Sequence, residues 1–527
     1  MVAGSVGAAA PKGPPSWKLT SPTDVATQGL VVSGFAHLET ARALFLKFDW
    51  PDGEVNPGAW LTDLHAIAPV TDANGKEQKA AALAFTCTGV ARMGLDAAAL
   101  ASFSRPFREG MFQEDRARRL GDRRNGEWLP SVIDGGPKWS ANVAQDAVAG
   151  EVDADGVPTE AQVVTPITVH ALLLIYDPDA ASGAARAAEI QSILDARKIS
   201  VVHTLPLVLD PNNLGVSSEH FGFADGLSQP APYDGAAIVV DGKPAPEDGP
   251  SSVPLGEFLI GHLDGHHENA PGPIVPQGPN ADALLPPHAL AEGFRDLGLN
   301  GSYMVVRELK QDVVAFWKSM AGNAQAIKDR DPDGSTKVTP IWLAERVIGR
   351  GVTGHLLCPA GYLAPTSFGQ PNSNFLYLDH DPQGTGCPAG SHVRRANPRD
   401  SLAPTRDMAQ TLLDAANNHR ILRRARKYGA KIADPAIEDG VDRGLLFMAL
   451  NTDIARQFEF VQQTWLLNAN FNTLYDETDP LVGPKGTMTI RDTPLRRIVT
   501  VDTFVRLAGG DYFFLPSLPA LRYLATL

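Results

Sequence analysis

Strand-like segments followed directly by helix-like segments recur along this chain, and that succession constrains its fold more than any other feature. Gly301–Leu309, GSYMVVREL, is rich in β-branched and aromatic residues, and the KQDVVAFWKSM that follows has apolar residues at helical spacing. The other pairs are QGLVVSGF with ETARALFLKF, AALAFTCTGV with ARMGLDAAALASF, and GLLFMALN with DIARQFEFVQQTW. Two such units in each half predict a duplicated α+β architecture, with antiparallel sheets and helices.

The length of the chain predicts two large domains. It has 527 residues, 43% of them hydrophobic and 20% charged, which is ordinary for a globular protein and leaves enough apolar material to enclose a large cofactor. Proline and glycine are dense between Gln229 and His288, as in a linker with long loops. We therefore predict a flexible tail over 1–17, an N-terminal domain over 18–230 and a C-terminal domain over 231–527.

Charge and cysteine content restrict the partners and the compartment. The net charge of −14 argues against a nucleic-acid partner, because phosphate binding relies on clustered Lys and Arg. The cysteines, Cys87, Cys358 and Cys387, include no C-x-x-C pair, so neither a disulfide framework nor a Cys-rich zinc site is expected. No run approaches about 20 apolar residues, and the N-terminus lacks the basic region of a signal peptide. A cytoplasmic protein without a membrane partner is the expectation.

Three short segments contain residues that could carry chemistry. In HFGFADGLSQP, glycines flank Phe223 and Asp225, so the backbone can turn tightly and approach a flat ligand; a turn with a capping Asp is the simpler interpretation. In CPAGSHVRRANPRD, His392 precedes two arginines, which suits either a metal ligand or a surface salt-bridge cluster. NHRILRRARKYG contains five Arg and Lys residues and could equally be a basic edge strand.

Together these segments, in this order, resemble the motifs of the dye-decolourising haem peroxidases, in particular the subgroup with longer chains. The resemblance also covers QGLVVSGF, SFSRPFREGM, VHALLLIYD, DIARQFEFVQQTW and GGDYFFLPS, and so extends from about Gln28 to Leu518. It implies two ferredoxin-like α+β domains of the dimeric α+β barrel type, with haem b (iron protoporphyrin IX) held mainly by the second. It also implies that His392 is the iron ligand, that Asp225 is the acid/base on the opposite side, and that Arg423 is its partner.

The resemblance implies reduction of hydrogen peroxide and one-electron oxidation of phenols and bulky dyes through a ferryl intermediate. We predict that Arg423 and Arg424 point in opposite directions, because a strand alternates its sides. Surface relays for bulky dyes are expected among Trp and Tyr residues. The candidates are Trp342, Tyr362, Tyr377 and Trp465.

Further residues are predicted to contact the haem. Arg394 would pair with a propionate, and Glu459 or Gln463 would accept a hydrogen bond from the iron-bound histidine. The remaining predicted contacts are Phe223, Gly226, Leu445 and Phe447, although the last two also suit an ordinary sheet core.

A second function stays open from the sequence alone. The chain could bind haem to carry it, to sense it or to release its iron, with incidental peroxidase activity. Both functions need His392, but only the peroxidase needs Asp225 and Arg423. The sequence does not identify the electron donor, the use of Mn(II) or whether the chain forms a homo-oligomer.

Overall fold

A computed structural model describes most of the chain. It covers residues 18–51, 53–75, 78–140, 167–209, 217–234, 249–363 and 375–527, and the backbone of 239–240 and 243–244. The predicted tail over 1–17 lies outside the described residues. Among the described helices, none combines the length and the apolar character needed to cross a membrane.

Antiparallel strands from both halves of the chain form one continuous sheet. Its nine strands are β1 (Thr40–Phe48), β2 (Ala80–Phe85), β3 (Ala171–Asp177), β4 (Ile199–Val208), β5 (Ser302–Gln311), β6 (Leu422–Arg423), β7 (Arg426–Tyr428), β8 (Gly444–Asn451) and β9 (Val505–Leu515). Two-stranded pairs lie outside it. They are 123–124 with 127–128, 139–140 with 167–168, 231–233 with 252–254, 239–240 with 243–244, 274–276 with 294–296, 357–358 with 361–362, and 486–492 with 495–501.

The sheet closes on itself. Its strand order is β5-β9-β2-β3-β1-β4-β7-β8-β6, and β5 also pairs with β8 along Tyr303↔Asn451 to Lys310↔Gly444. Two junctions join the halves of the chain: Phe85↔Phe514 between β2 and β9, and Lys427↔Val208 between β4 and β7. The architecture is α+β with an antiparallel sheet, as predicted. The domain boundary at 230/231 stays a prediction, because the sheet runs through both halves.

Alternating side chains of the strands build a core on each face of the sheet. Residues such as Phe45, Leu172 and Met304 face the interior of the closed sheet, where they pack together. Their neighbours, such as Leu46 and Leu173, pack beneath helices on the outer face. Both faces are therefore buried, which explains why β3 and residues 303–306 of β5 are hydrophobic without polar alternation.

Among the described helices, the six longer ones and the short helix that begins at His392 are numbered. They are α1 (Ala59–Ile67), α2 (Ala180–Ala196), α3 (Val313–Arg330), α4 (Pro340–Ile348), α5 (His392–Ala396), α6 (Ala409–Asn417) and α7 (Leu518–Leu524). The other described α-helices are Thr23–Ala26, Cys87–Arg92, Ala97–Ala101, Arg105–Glu109, Glu114–Arg119, Pro279–Leu284 and Tyr377–His380. Local signals fix several of their ends. Asp312 caps α3 by accepting from the N–H of Ala315, and α4 ends where Gly349 adopts a left-handed φ of 102°.

Three predicted elements differ in the structure. QGLVVSGF, predicted to be a strand, forms turns and makes only an isolated bridge at Gln28. ETARALFLKF, predicted to be helical, contains strand β1, because pairing with both β3 and β4 outweighs the helix-forming residues. DIARQFEFVQQTW is helical as predicted, but it forms two π-helical segments, Ala455–Glu459 and Val461–Leu466. Such wide turns occur often at functional sites.

Candidate active site

His392 is the first residue of α5, and a buried carboxylate fixes the loop that precedes it. Asp381 accepts hydrogen bonds from the N–H groups of Thr385, Gly386 and Cys387 at 2.7–3.0 Å. Arg394 donates to the carbonyl oxygens of Asp381 and Cys387. The position of the imidazole therefore depends on a loop that is hydrogen-bonded internally.

Asp479 holds one edge of the imidazole. Its Oδ2 lies 3.0 Å and its Oδ1 3.2 Å from Nδ1 of His392. A carboxylate can only accept here, so Nδ1 carries the proton and the lone pair of Nε2 is left for a metal. The His392 side chain is 31% exposed, whereas that of Asp479 is fully buried. The imidazole thus presents Nε2 on its open side, and no described protein atom bonds to it.

This pairing corrects the sequence-based choice of an acceptor for His392. Glu459 instead accepts from Arg116 and, at 2.7 Å, from the hydroxyl of Tyr512, while Gln463 is exposed. The acceptor is Asp479, which no motif had marked. The signal near it, Asp479 followed by Pro480, indicates only a turn.

The charge of Asp479 dominates the electrostatics of the pair. Burial disfavours the charged imidazole, but the Asp479 carboxylate outweighs it and raises the pKa of His392 above its ordinary value. Burial opposes ionisation of Asp479 as well, yet His392 and the N–H groups of Leu481 and Val482 hold its pKa below the usual range. The carboxylate is therefore ionised and strengthens the basicity of the imidazole.

Arg394 and Arg395 support α5 from within the protein. Arg394 pairs with Asp381 at 3.7 Å and lies over the ring of Tyr377. Arg395 donates to the carbonyl oxygens of residues 465, 466, 468 and 477, so it joins α5 to the π-helical segment and to the chain just before Asp479. The role of Arg394 at a propionate stays a prediction, because its Nη1 bonds to protein oxygens while its buried Nε has no partner among the described residues.

Asp225 lies in a turn that is fixed from two sides. Its N–H donates to the carbonyl of Ser217, and the N–H of Ala224 donates to the carbonyl of Val352, both at 2.9 Å. Gly222 and Gly226 have φ values of 102° and 74°, which only glycine adopts readily. Oδ1 of Asp225 accepts from the N–H of Gly226 at 2.6 Å, and no atom of the described residues bonds to its Oδ2.

Phe223 and Gly226 occupy different surroundings from each other. Phe223 packs into the hydrophobic core beside α3, with its ring 6.5 Å from that of Trp317, so it braces the turn from within. Gly226 is exposed. Contact of either residue with haem stays a prediction. The Phe223 ring is already packed in the core.

Arg423, at the end of β6, reaches the residues that follow Asp225. Its Nη2 donates to the carbonyl of Leu227, and its backbone exchanges two hydrogen bonds with the side chain of Gln229 at 3.1 Å. Arg424 instead donates to the carbonyls of Leu30 and Val31. The two neighbouring arginines reach different segments, as the alternation of a strand predicts.

Three further arginines converge on Ser228, beside Arg423. Arg350 donates to Oγ of Ser228 at 2.6 Å, Arg399 lies 3.4 Å from the same oxygen, and Arg420 donates to the backbone carbonyl of Ser228 at 2.9 Å. All three are 5% exposed or less. Sequence reasoning missed this cluster, although Arg399 and Arg420 lie inside two of the three motif segments.

The arginine cluster lacks negative charge. Within the described residues, no carboxylate comes within 4.0 Å of these guanidinium groups, and Nη1 of Arg420 has no hydrogen-bond partner. Burial, and then the charges of Arg399 and Arg423, lower the pKa of Arg420 to about 9, and burial lowers that of Arg399 to about 10. Such a site favours an anionic ligand, which would supply the missing charge.

These groups fit a haem. The imidazole of His392 would offer Nε2 to the iron, and the buried arginines would hold the two propionates. Leu445 and Phe447 lie on one side of β8 and are less buried than Leu446 and Met448 between and beyond them. The ring of Phe447 lies 6.2 Å from that of Phe458 in the π-helical segment. Contact of Leu445 and Phe447 with the ligand stays a prediction.

The charged groups of the site act on one another. Arg423 opposes protonation of His392, and Glu219 favours it. The charge of Asp225 in turn acts on Glu219, which begins the turn that carries Asp225. The predicted residues His392, Asp225 and Arg423 therefore lie within one group of charged side chains, which also includes Glu219 and Asp479.

Comparisons with known proteins show which proteins this chain is similar to in sequence and in fold. No family model matches the chain. A dye-decolourising peroxidase of Mycena epipterygia is 28% identical over 398 residues, which is 68% of this chain and 66% of that protein, just under two thirds of its length. A solved DyP-type peroxidase of Anabaena has a TM-score of 0.66 at 22% identity, and the similarity covers 95% of this chain and 94% of the Anabaena chain. A dye-decolourising peroxidase solved with 2,6-dimethoxyphenol has a TM-score of 0.65 at 24% identity, over 96% of this chain and all (100%) of its own.

The fold shared with these structures consists of two ferredoxin-like halves, as predicted. In sequence and in fold the chain is similar to the dye-decolourising peroxidases.

Proposed function

We propose that this chain binds haem b through His392, reduces hydrogen peroxide, and oxidises phenols and bulky synthetic dyes in one-electron steps. The observation that carries the proposal is the bond from Nδ1 of His392 to the buried Asp479. It directs the lone pair of Nε2 toward a metal and makes the imidazole electron-rich, as a peroxidase requires. Bound haem would supply the redox chemistry.

The protein's own contribution to peroxide reduction comes from Asp225 and Arg423. Asp225 would accept a proton from hydrogen peroxide and return it to the departing oxygen, which leaves as water. Among the described residues, the Arg423 guanidinium bonds only to Leu227, through Nη2, so its other N–H groups would stabilise negative charge on that oxygen. A protein that merely carried haem would need neither group.

Phenols are proposed as small donors, because a relative was solved with 2,6-dimethoxyphenol. Bulky dyes need a site at the surface. Of the candidate relays, Tyr377 and Trp465 are buried and Trp342 is partly buried, whereas Tyr362 is 56% exposed. We propose Tyr362 as the residue that dyes reach.

The surroundings of Tyr362 suit that role. It lines a groove of about 580 Å³ with Glu345 and Val352. Its hydroxyl donates to Glu345 at 2.6 Å, so a carboxylate stands ready to take the phenolic proton when the ring loses an electron. This bond to Glu345, followed by burial, raises the pKa of Tyr362 to about 12. The carbonyl of Val352 accepts from Ala224, the residue before Asp225, so the groove adjoins the turn at the active site.

The cytoplasm is the proposed compartment. All three cysteines are free thiols, as expected in a reducing environment.

One equivalent of hydrogen peroxide added to the haem-loaded protein tests the proposed function. The Soret band should change at once and return when a phenol is added. Asp225→Asn and Arg423→Leu should retain haem and slow this change by about 100-fold or more. A Soret band that ignores peroxide would contradict the proposal and favour a haem carrier.

A further inference from the structure

Glu219 closes the turn that carries Asp225. Its Oε2 accepts from the backbone N–H of Phe221 at 2.7 Å, and its Oε1 from that of Phe223 at 2.9 Å. Its own N–H donates to the carbonyl of Phe223 at 3.0 Å, and its carbonyl accepts from Gly222 at 2.9 Å. Residues 219–223 are therefore a closed loop that is held by the side chain of its first residue.

The same carboxylate joins this loop to the sheet. Gln311, the last residue of β5, donates from Nε2 to Oε2 of Glu219 at 2.7 Å. The rings of Phe221 and Phe316 on α3 stack at 4.5 Å and fix the loop from the other side. Asp225 lies two residues beyond this loop, so the direction of its side chain depends on the anchored loop.

Stability alone does not explain a carboxylate at this position. The described residues place no Lys or Arg within ion-pair distance of Glu219. Burial raises its pKa to about 7 against the effect of its three hydrogen bonds, and the charge of Asp225 adds to the rise. A buried charge without a cation costs stability. Only a carboxylate, however, can accept both backbone N–H groups on separate oxygens, because Gln has a single acceptor oxygen.

We propose that Glu219 is a positioning residue for peroxide reduction, holding the turn over 221–225 so that the carboxylate of Asp225 meets hydrogen peroxide. This inference rests on the proposed function. Glu219 does not touch the peroxide; it acts through Asp225. Its substitution should therefore change the step that Asp225 performs and leave haem binding intact.

A double-mutant cycle on the haem-loaded protein tests this coupling. The rate of reaction with hydrogen peroxide is measured by stopped flow for Glu219→Gln, Asp225→Asn and the double variant. Glu219→Gln should slow it by about 10- to 100-fold, as expected for a misplaced catalytic group, with unchanged haem affinity. The double variant should be no slower than Asp225→Asn alone, since the effect of Glu219 passes through Asp225.

The outcomes separate this inference from the proposed function. A double variant slowed by the product of the two single effects would overturn the role of Glu219, as would a wild-type rate for Glu219→Gln. A wild-type rate for Asp225→Asn would instead refute the proposed function. Glu257→Gln is the matched control, because Glu257 is also buried with a pKa raised to about 7 but pairs with Arg456. It should leave the peroxide rate unchanged.

A readout that does not depend on activity examines the turn itself. The apoprotein is labelled with ¹⁵N-phenylalanine at its 21 positions, and Phe221→Leu and Phe223→Leu assign two resonances. In Glu219→Gln, at least one of these two amide protons should shift upfield and exchange faster with solvent. The Glu257→Gln spectrum should retain both. Unchanged amide resonances in Glu219→Gln would overturn the proposed anchoring even if the variant were slow.

Discussion

Asp479→Asn separates the effect of charge on His392 from the effect on the local turn. In the wild type, Oδ1 of Asp479 accepts from the N–H groups of Leu481 and Val482 at 2.9 and 3.0 Å, while Oδ2 lies 3.0 Å from Nδ1 of His392. An asparagine that places its oxygen at the Oδ1 position keeps both backbone bonds. Its NH₂ group then faces Nδ1, and two donors cannot bond.

The imidazole must respond to this change. Nδ1 would become the acceptor, the proton would move to Nε2, and the lone pair that binds the metal would be lost. Loss of such a supporting partner typically lowers metal affinity 10- to 100-fold, or about 1.4 to 2.7 kcal/mol. The stability of the apoprotein should fall by about 1.5 to 3 kcal/mol, the value of one hydrogen bond to a charged group.

Haemin titration of the apoprotein, followed at the Soret band, measures the affinity, and urea unfolding measures the stability. Asp122→Asn is the control, because Asp122 is equally buried but pairs with Arg307. It should destabilise the apoprotein and leave haemin affinity alone. If Asp479→Asn bound haemin with wild-type affinity, the role assigned to Asp479 would be refuted.

Three further predictions follow from other parts of the site. Tyr362→Phe should reduce the rate of oxidation of a bulky dye about tenfold, the equivalent of one hydrogen bond to a charged group. The rate of peroxide reduction should be unchanged. An equal loss of activity with a small phenol would argue against a surface site. Arg420→Met should weaken haemin binding about tenfold but not destabilise the apoprotein in thermal unfolding, because it removes a charge that burial and neighbouring arginines disfavour; unaltered haemin affinity would exclude Arg420 from propionate binding. Glu219→Gln should gain stability relative to the wild type as pH rises from 4.5 to above 7. The folded-state pKa of Glu219 is raised from 4.5 to about 7, so the unfolded chain loses this proton first and the wild type loses up to about 3 kcal/mol over that window. Urea unfolding at several pH values tests this, and a constant difference between the two proteins would contradict it.

The candidate site residues that the sequence singled out lie in short, continuous motifs. His392, Asp225 and Arg423 each stand in a segment with its own local pattern, so the order of residues along the chain is enough to select them. Their partners could not be selected in this way. Asp479 lies 87 residues from His392 and carries only a turn signal, so its contact depends on the tertiary fold. The pairing of Arg350 with Ser228, 122 residues apart, has the same origin.

The fold shows the same division between local and long-range information. Strand β5 and helix α3 have clear local patterns and were predicted. β1 was mistaken for a helix, because its strand pairing comes from β3 and β4, which follow more than a hundred residues later. Glu459 was chosen by helical spacing from a π-helical segment, where that spacing does not apply, and the structure pairs it with Arg116.

Reconstitution of the apoprotein with haemin, compared between the wild type and His392→Ala, tests the central claim most directly. The wild type should take up one equivalent and develop the spectrum of a histidine-bound haem, while His392→Ala should lose that spectrum and bind at least about 100-fold more weakly, consistent with loss of the metal ligand rather than of a supporting partner. Equal affinity and identical spectra for the two proteins would contradict the account.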